Sequence, residues 1–186
     1  MSEYFFIKEN QPTPMYEIPE DFEEGAYSTR FTFPSSPIPL LAKYKPRSEY
    51  EIVDILLEPE LCLSKNLFDT VGVENIYGGN WIPIKLIDKG EHDFMMLQLA
   101  NEIDILDHTN SQFKFFEDDS ISGMSKVVID PRKLESTPLH KRLVFRDVSW
   151  GFHVFYHKTF VDVISGLAPK GIEFVPVEDF NESWAG

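Results

Sequence analysis

The stretch that decides the fold is KTFVDVISGLAPKGIEFVPV, Lys158 to Val177, because the chain has already used its pattern once, as KNLFDTVGVENIYGGNWIPI from Lys65 to Ile84. Without gaps, Lys65 falls on Lys158, Leu67 on Phe160, Asp69 on Asp162 and Val71 on Ile164. Further along, Gly78 meets Gly171, Trp81 meets Phe174, Pro83 meets Pro176 and Ile84 meets Val177. Only four of twenty positions are identical, yet the apolar and punctuating positions keep step throughout. A fixed internal period constrains architecture before any other feature does.

Each copy reads as strand, short helix, glycine turn, strand. In the first, Leu61-Cys62-Leu63 suits a short buried strand, and Ser64 suits a helix N-cap. Leu67, Phe68 and Val71 make one apolar helical face, which Gly72 ends. Gly78-Gly79 then turns into a strand from Trp81 to Leu86, where Pro83 implies a sheet edge or a strand end. In the second copy, Phe152 to Tyr156 alternates as a strand and His157 stands where Ser64 stood. A helix follows over about Lys158 to Ser165, with Phe160, Val161 and Ile164 inward, and Glu173 to Val177 closes the unit. The matched positions are apolar residues, glycine, proline, one Lys and one Asp. No catalytic residue type recurs, so the repeat is architectural.

Thirteen prolines along the chain predict short elements and few long helices. Residues 1–58 read as a proline-rich wrap, with Tyr4 to Lys8 as an edge or terminal strand and Phe31 to Phe33 as a short one. Tyr50 to Leu57 mixes strand and helix signals. A strand precedes a turn ending near Asp107, Phe113 to Asp119 is an aromatic cluster running into an acidic loop, and Lys126 to Asp130 reads as a strand. Pro131 to Leu134 resembles a first helical turn, and Leu143 to Arg146 a short strand. The expected fold is α+β, mixing short strands and short helices around related strand-helix-strand units at about 61–86 and 152–177. One domain, 1–186, is expected, with its core over 59–180.

Lys and Arg number 17 against 31 Asp and Glu, a formal net charge of −14. That field repels phosphate backbones and anionic bilayers, so neither nucleic acid nor membrane is expected as a partner. The single cysteine, Cys62, cannot form an internal disulfide or build a zinc cluster, and its apolar run suits a buried side chain. MSEYFFIKENQ lacks the basic-then-apolar pattern of a secretory signal, and no apolar run approaches the roughly 20 residues of a membrane span. The expected location is the cytoplasm.

A further pattern lies in the C-terminal half. Leu106-Asp107 closes an apolar run, Ser111 follows, and KVVID (126–130) comes next. After these stand Phe145-Arg146, a short strand opening a helix, and GIEF (171–174). This order, over about residues 60–178, resembles the immunity proteins of bacterial polymorphic toxin systems, specifically group eleven, formerly a domain of unknown function. The chain departs from it in the insertion GEHDF (90–94) and in HVFYHK (153–158). The resemblance implies a non-enzymatic protein without cofactor that binds and silences a cognate toxin. Asp107, Ser111, Arg146 and Gly171 match its recurrent positions and are read as structural. Gly171 supplies a positive φ before the last strand, and Arg146 is expected to pair with Asp107 where partly buried.

The candidates for chemistry are few. Asp104, Asp107 and His108 stand at i, i+3, i+4, where a helix would present three metal ligands together, with His92 and Asp93 available to add to them. That spacing supports the alternative of a small metal-dependent hydrolase, although the segment reads equally well as strand and turn. His153 and His157 straddle a strand-to-helix junction and suit a strand residue and a helix N-cap. Nucleophile elbows, phosphate loops and dinucleotide fingerprints are absent from the sequence, so no enzyme, metal or cofactor is expected. A scaffold protein without a toxin partner is the third reading.

Three acidic clusters serve the binding reading: Glu20, Asp21, Glu23 and Glu24; Glu117, Asp118 and Asp119; and Glu178, Asp179 and Glu182. Each alone reads as a solvated loop. Together with the net charge they fit an inhibitor that meets a basic toxin, such as a nuclease. Aromatic neighbours (Phe22; Phe115 and Phe116; Phe180 and Trp184) would supply the desolvated anchors that dominate interface energies.

Overall fold

The computed structural model describes residues 2–18, 38–45, 50–58, 60–117, 119 and 121–180. Strands β1 (Tyr4–Glu9), β2 (Met15–Glu17), β3 (Leu40–Lys45) and β4 (Ile55–Leu56) come first. The first repeat copy follows as β5 (Cys62–Ser64), helix α1 (Lys65–Val71) and β6 (Gly79–Ile87), and β7 (Glu91–Leu99) returns beside it. Then come β8 (Glu102–Ile103), β9 (Gln112–Phe115), β10 (Ile121–Lys126), helix α2 (Pro131–Glu135) and β11 (Val144–Asp147). The second copy is β12 (Trp150–His157), α3 (Lys158–Ser165) and β13 (Ile172–Pro176). The fold is α+β, as the sequence predicts, and it is dominated by sheet.

The chain divides into two compact units. One gathers Met1–Lys8, Asn101–Asp162 and Glu173–Gly186, and the other Glu9–Ala100 and Val163–Ile172. Residues 1–58 thus give strands to both.

The unit built on Glu9–Ala100 holds a six-stranded sheet in the order β2-β3-β6-β7-β5-β4. Alternation places Ile82, Ile84 and Leu86 of β6, Phe94 and Met96 of β7, and Leu40 and Ala42 of β3 in its buried core. β5 and β6 both run antiparallel to β7. They are therefore parallel to each other with β7 between them, a split β-α-β unit. Ser64 caps α1 by accepting the Leu67 N–H at 3.4 Å. Gly72, at φ 68°, ends the helix by returning its N–H to Phe68 O. Phe68 meets Trp81 edge-on, with ring centroids 5.0 Å apart.

The other unit holds a five-stranded sheet, β13-β1-β12-β11-β8, and a separate hairpin, β9-β10. β1 runs antiparallel to β12, with Tyr4 opposite His157. Lys8 reaches Glu173 at 3.1 Å and Ser2 reaches Glu178 at 2.8 Å, so β1 is antiparallel to β13 as well. The second copy is the same split β-α-β unit, with β1 as the strand between. His157 caps α3 as expected, its Nδ1 accepting the Thr159 N–H at 3.0 Å. Phe160, Val161 and Ile164 are buried.

Several local readings change. β1 is interior to its sheet, because the second copy leaves a gap that only a strand from elsewhere can fill. Pro83 lies inside a central strand opposite Met95. Pairing of β3 with β6 begins at Leu40–Ile84, so at Pro83 the strand has a partner on one side only, and the edge rule holds locally. Lys126 to Asp130 is not a strand: β10 ends at Lys126 and only Ile129 bridges, to Leu106. Val128 spends its backbone on Asp107 and Ser111 instead. Tyr50 to Leu57 yields only the two residues of β4, and Phe31 to Phe33 lies outside the described residues.

Candidate interaction surface

Asp107 and Ser111 form one device. The Asp107 carboxylate accepts the N–H groups of Thr109 and Asn110 and the Asn110 side-chain amide. The Asn110 side chain, then its backbone, holds the Asp107 carboxyl below the usual carboxylate range. Val128 O accepts the Asp107 N–H at 2.9 Å and the Ser111 hydroxyl at 3.2 Å, while the Val128 N–H donates back to Ser111 Oγ at 3.0 Å. The turn is thereby tied to the segment behind it.

The ion pair expected between Asp107 and Arg146 does not form. Asp107 is committed to its turn, and Arg146 is buried in β11. The acid that organises this strand is the next residue, Asp147, which is fully buried. Its Oδ2 accepts the N–H groups of Ile105 and Leu106 at 2.9 and 3.1 Å, and its Oδ1 accepts the Ser149 N–H at 2.8 Å. Asn101, also buried, donates to Lys141 O and Val144 O. Neither was singled out from sequence, although an aspartate closing an apolar strand is a signal of buried polar structure. Gly171 holds φ 103°, and a Cβ there would lie 2.8 Å from Val53 Cβ.

The three side chains of the hydrolase alternative point to separate tasks. Asp104 pairs with Lys133 at 2.6 Å, Asp107 caps its turn, and His108 stacks on Phe113 with ring centroids 5.1 Å apart. His92 bonds Asp88 at 3.1 Å. Among the described residues no group of three or more His, Cys, Asp or Glu could hold a metal ion. Burial pushes the Cys62 thiol far up, and Tyr16 Oη sits 2.6 Å from its Sγ. His153, packed between Phe6, Trp150 and Phe180, is pushed down to about 4 by burial.

Of the acidic clusters, the second is the best defined. Strands β9 and β10 pair with irregular register. Met124, opposite Phe113, is fully buried and Phe113 packs against the same core, as does Ile121 where the tip begins, which fixes the hairpin below its turn. At the tip Phe115 and Phe116 are 59% and 56% exposed. Glu117 and Asp119 are exposed beside them, and the Asp119 N–H closes the turn on Phe116 O at 3.2 Å with Asp119 at φ 63°. An aspartate tolerates that left-handed conformation better than most residues.

Glu178 and Asp179 are exposed on a 3-10 turn, where Glu178 accepts from Ser2. Glu20, Asp21, Glu23, Glu24, Asp118, Glu182 and Trp184 lie outside the described residues. No helix among the described residues is long and apolar enough to cross a membrane. The chain matches no protein-family model and no curated protein sequence.

Proposed function

We propose that this protein acts by binding, as an immunity protein that silences a cognate basic toxin in the cytoplasm through a stoichiometric complex. The observation that carries the reading is the β9-β10 tip, where two aromatic rings more than half exposed sit beside acids with no ion pair among the described residues, on a chain of net charge −14. Exposed rings of this size are the side chains that anchor interfaces, and the surrounding negative potential speeds capture of a basic partner. The residues that could have supported hydrolysis each hold the fold together instead. Asp104 ties to Lys133, Asp107 to its turn and His108 stacks on Phe113. The resemblance to the group-eleven immunity proteins supplies the class of partner.

The test is co-expression with the product of the neighbouring gene, scored for rescue of growth and for a complex of fixed stoichiometry by size-exclusion chromatography. Rescue with a complex is the expected result. Rescue without a complex, or toxicity unchanged by the protein, defeats the proposal.

A further inference from the structure

Resting on that binding reading, we infer that the β9-β10 hairpin is the element that reads the partner, and that what it reads is arginine on a protein surface. Several exposed acids elsewhere are neutralised inside the chain. Glu91 and Asp93 share Lys85, Asp69 pairs with Lys65, Asp162 with Lys158 and Glu173 with Lys8. At the tip, Glu117 and Asp119 have no ion pair among the described residues, and what sets them apart from other exposed acids is that the exposed rings of Phe115 and Phe116 adjoin them in the chain.

The rings beside them define what that is. A guanidinium is planar, so it can lie on an aromatic face while its edge donates to a carboxylate, whereas an ammonium cannot do both with equal geometry. Phe115 and Phe116 provide the faces, and Glu117 and Asp119 the acceptors, within five consecutive residues. The anchored base matters as much. With Met124, Phe113 and Ile121 held in the core, the tip is presented on a fixed support, and less ordering is lost on binding.

The experiment is an amide ¹⁵N–¹H titration of the full chain with hexa-arginine and, separately, hexa-lysine. The expected result is perturbation centred on residues 113–121, with hexa-arginine saturating at about threefold lower concentration. Phe115→Ser with Phe116→Ser removes that preference. Glu117→Gln with Asp119→Asn, which leaves both rings in place, weakens both peptides and serves where the ring variant loses spectral dispersion. Equal affinities for the two peptides, or perturbation centred on Glu178 and Asp179, overturns the inference. Failure of the co-expression rescue with this mapping intact removes the immunity reading alone.

Discussion

The two split β-α-β copies share their punctuation but differ in where the middle strand comes from. In the first copy β7 arrives directly from β6 through a hairpin paired from Gly79–Leu99 to Ile87–Glu91. In the second, β1 comes from the opposite end of the chain and pairs Tyr4 with His157. The aligned glycines, Gly78 at φ 67° and Gly171 at φ 103°, both leave the ordinary backbone region before the last strand. The aligned Lys-Asp pairs both form i,i+4 ion pairs. With the cap, the helix face and the glycine turn kept, the unit accepts its antiparallel middle strand either from the adjoining hairpin or from the far end of the chain.

The largest expected effect separates the two glycines. Gly171→Ala meets both a strained φ and a Val53 side chain at 2.8 Å, and should cost about 3–4 kcal/mol. Gly78→Ala meets a left-handed backbone, which should cost about 1–2 kcal/mol. Urea unfolding of both variants measures the difference. Val53→Ala should recover part of the loss in Gly171→Ala and none in Gly78→Ala. Equal losses would mean that the copies use their glycines identically.

A second contrast lies in the first strands. β12 carries His153, whereas β5 (Cys62, Leu63, Ser64) holds no histidine. Burial lowers the His153 pKa to about 4 in the folded state, below the ordinary value of 6.5. Between those values the unfolded chain binds the proton and the folded chain does not, so stability falls as pH drops from 6.5 towards 4 and levels off below. The total comes to about 3 kcal/mol. His153→Phe, which keeps an aromatic ring against Trp150 and Phe180, should flatten that portion of the pH–stability curve. An unchanged slope in the variant would assign the acid sensitivity elsewhere.

These contrasts mark how far the sequence could be read. Helix α3 appears over Lys158–Ser165 as predicted, and Ser64 and His157 cap as predicted, because caps, apolar faces and glycines are local instructions. The identity of the middle strand was not legible. β1 fills the second copy by long-range pairing, which leaves no mark in the alternation of YFFIK. The same limit hid the role of Asp147. Its partners at Ile105 and Leu106 are backbone groups from a distant segment, so no side-chain pattern announces them. Asp107 drew attention by its spacing to His108, yet its side-chain partners lie within three residues. The exposed tip was readable in part, since the run of rings into acids in FKFFEDD is contiguous. Its anchorage through Met124 was not.

The smallest expected effect concerns the feature that the copies share most closely. Lys65–Asp69 and Lys158–Asp162 are both surface pairs with side chains 39–59% exposed, one helical turn apart. Each runs Lys to Asp, the less favourable order against the helix dipole, and each is screened by solvent, so either is worth about 0.3 kcal/mol. Asp69→Asn and Asp162→Asn should therefore destabilise equally and slightly, and 1 M salt should erase the loss in both. If Asp162→Asn alone produced a loss that salt left intact, the second pair would be acting through the docking of β1 rather than through its helix. Lys158 makes that possible, since its backbone N–H donates to Glu3 O at 2.8 Å while its ammonium holds Asp162. Lys65 has no such bond to an incoming strand among the described residues, so an unequal result would trace to the inserted strand, the one component in which the copies differ.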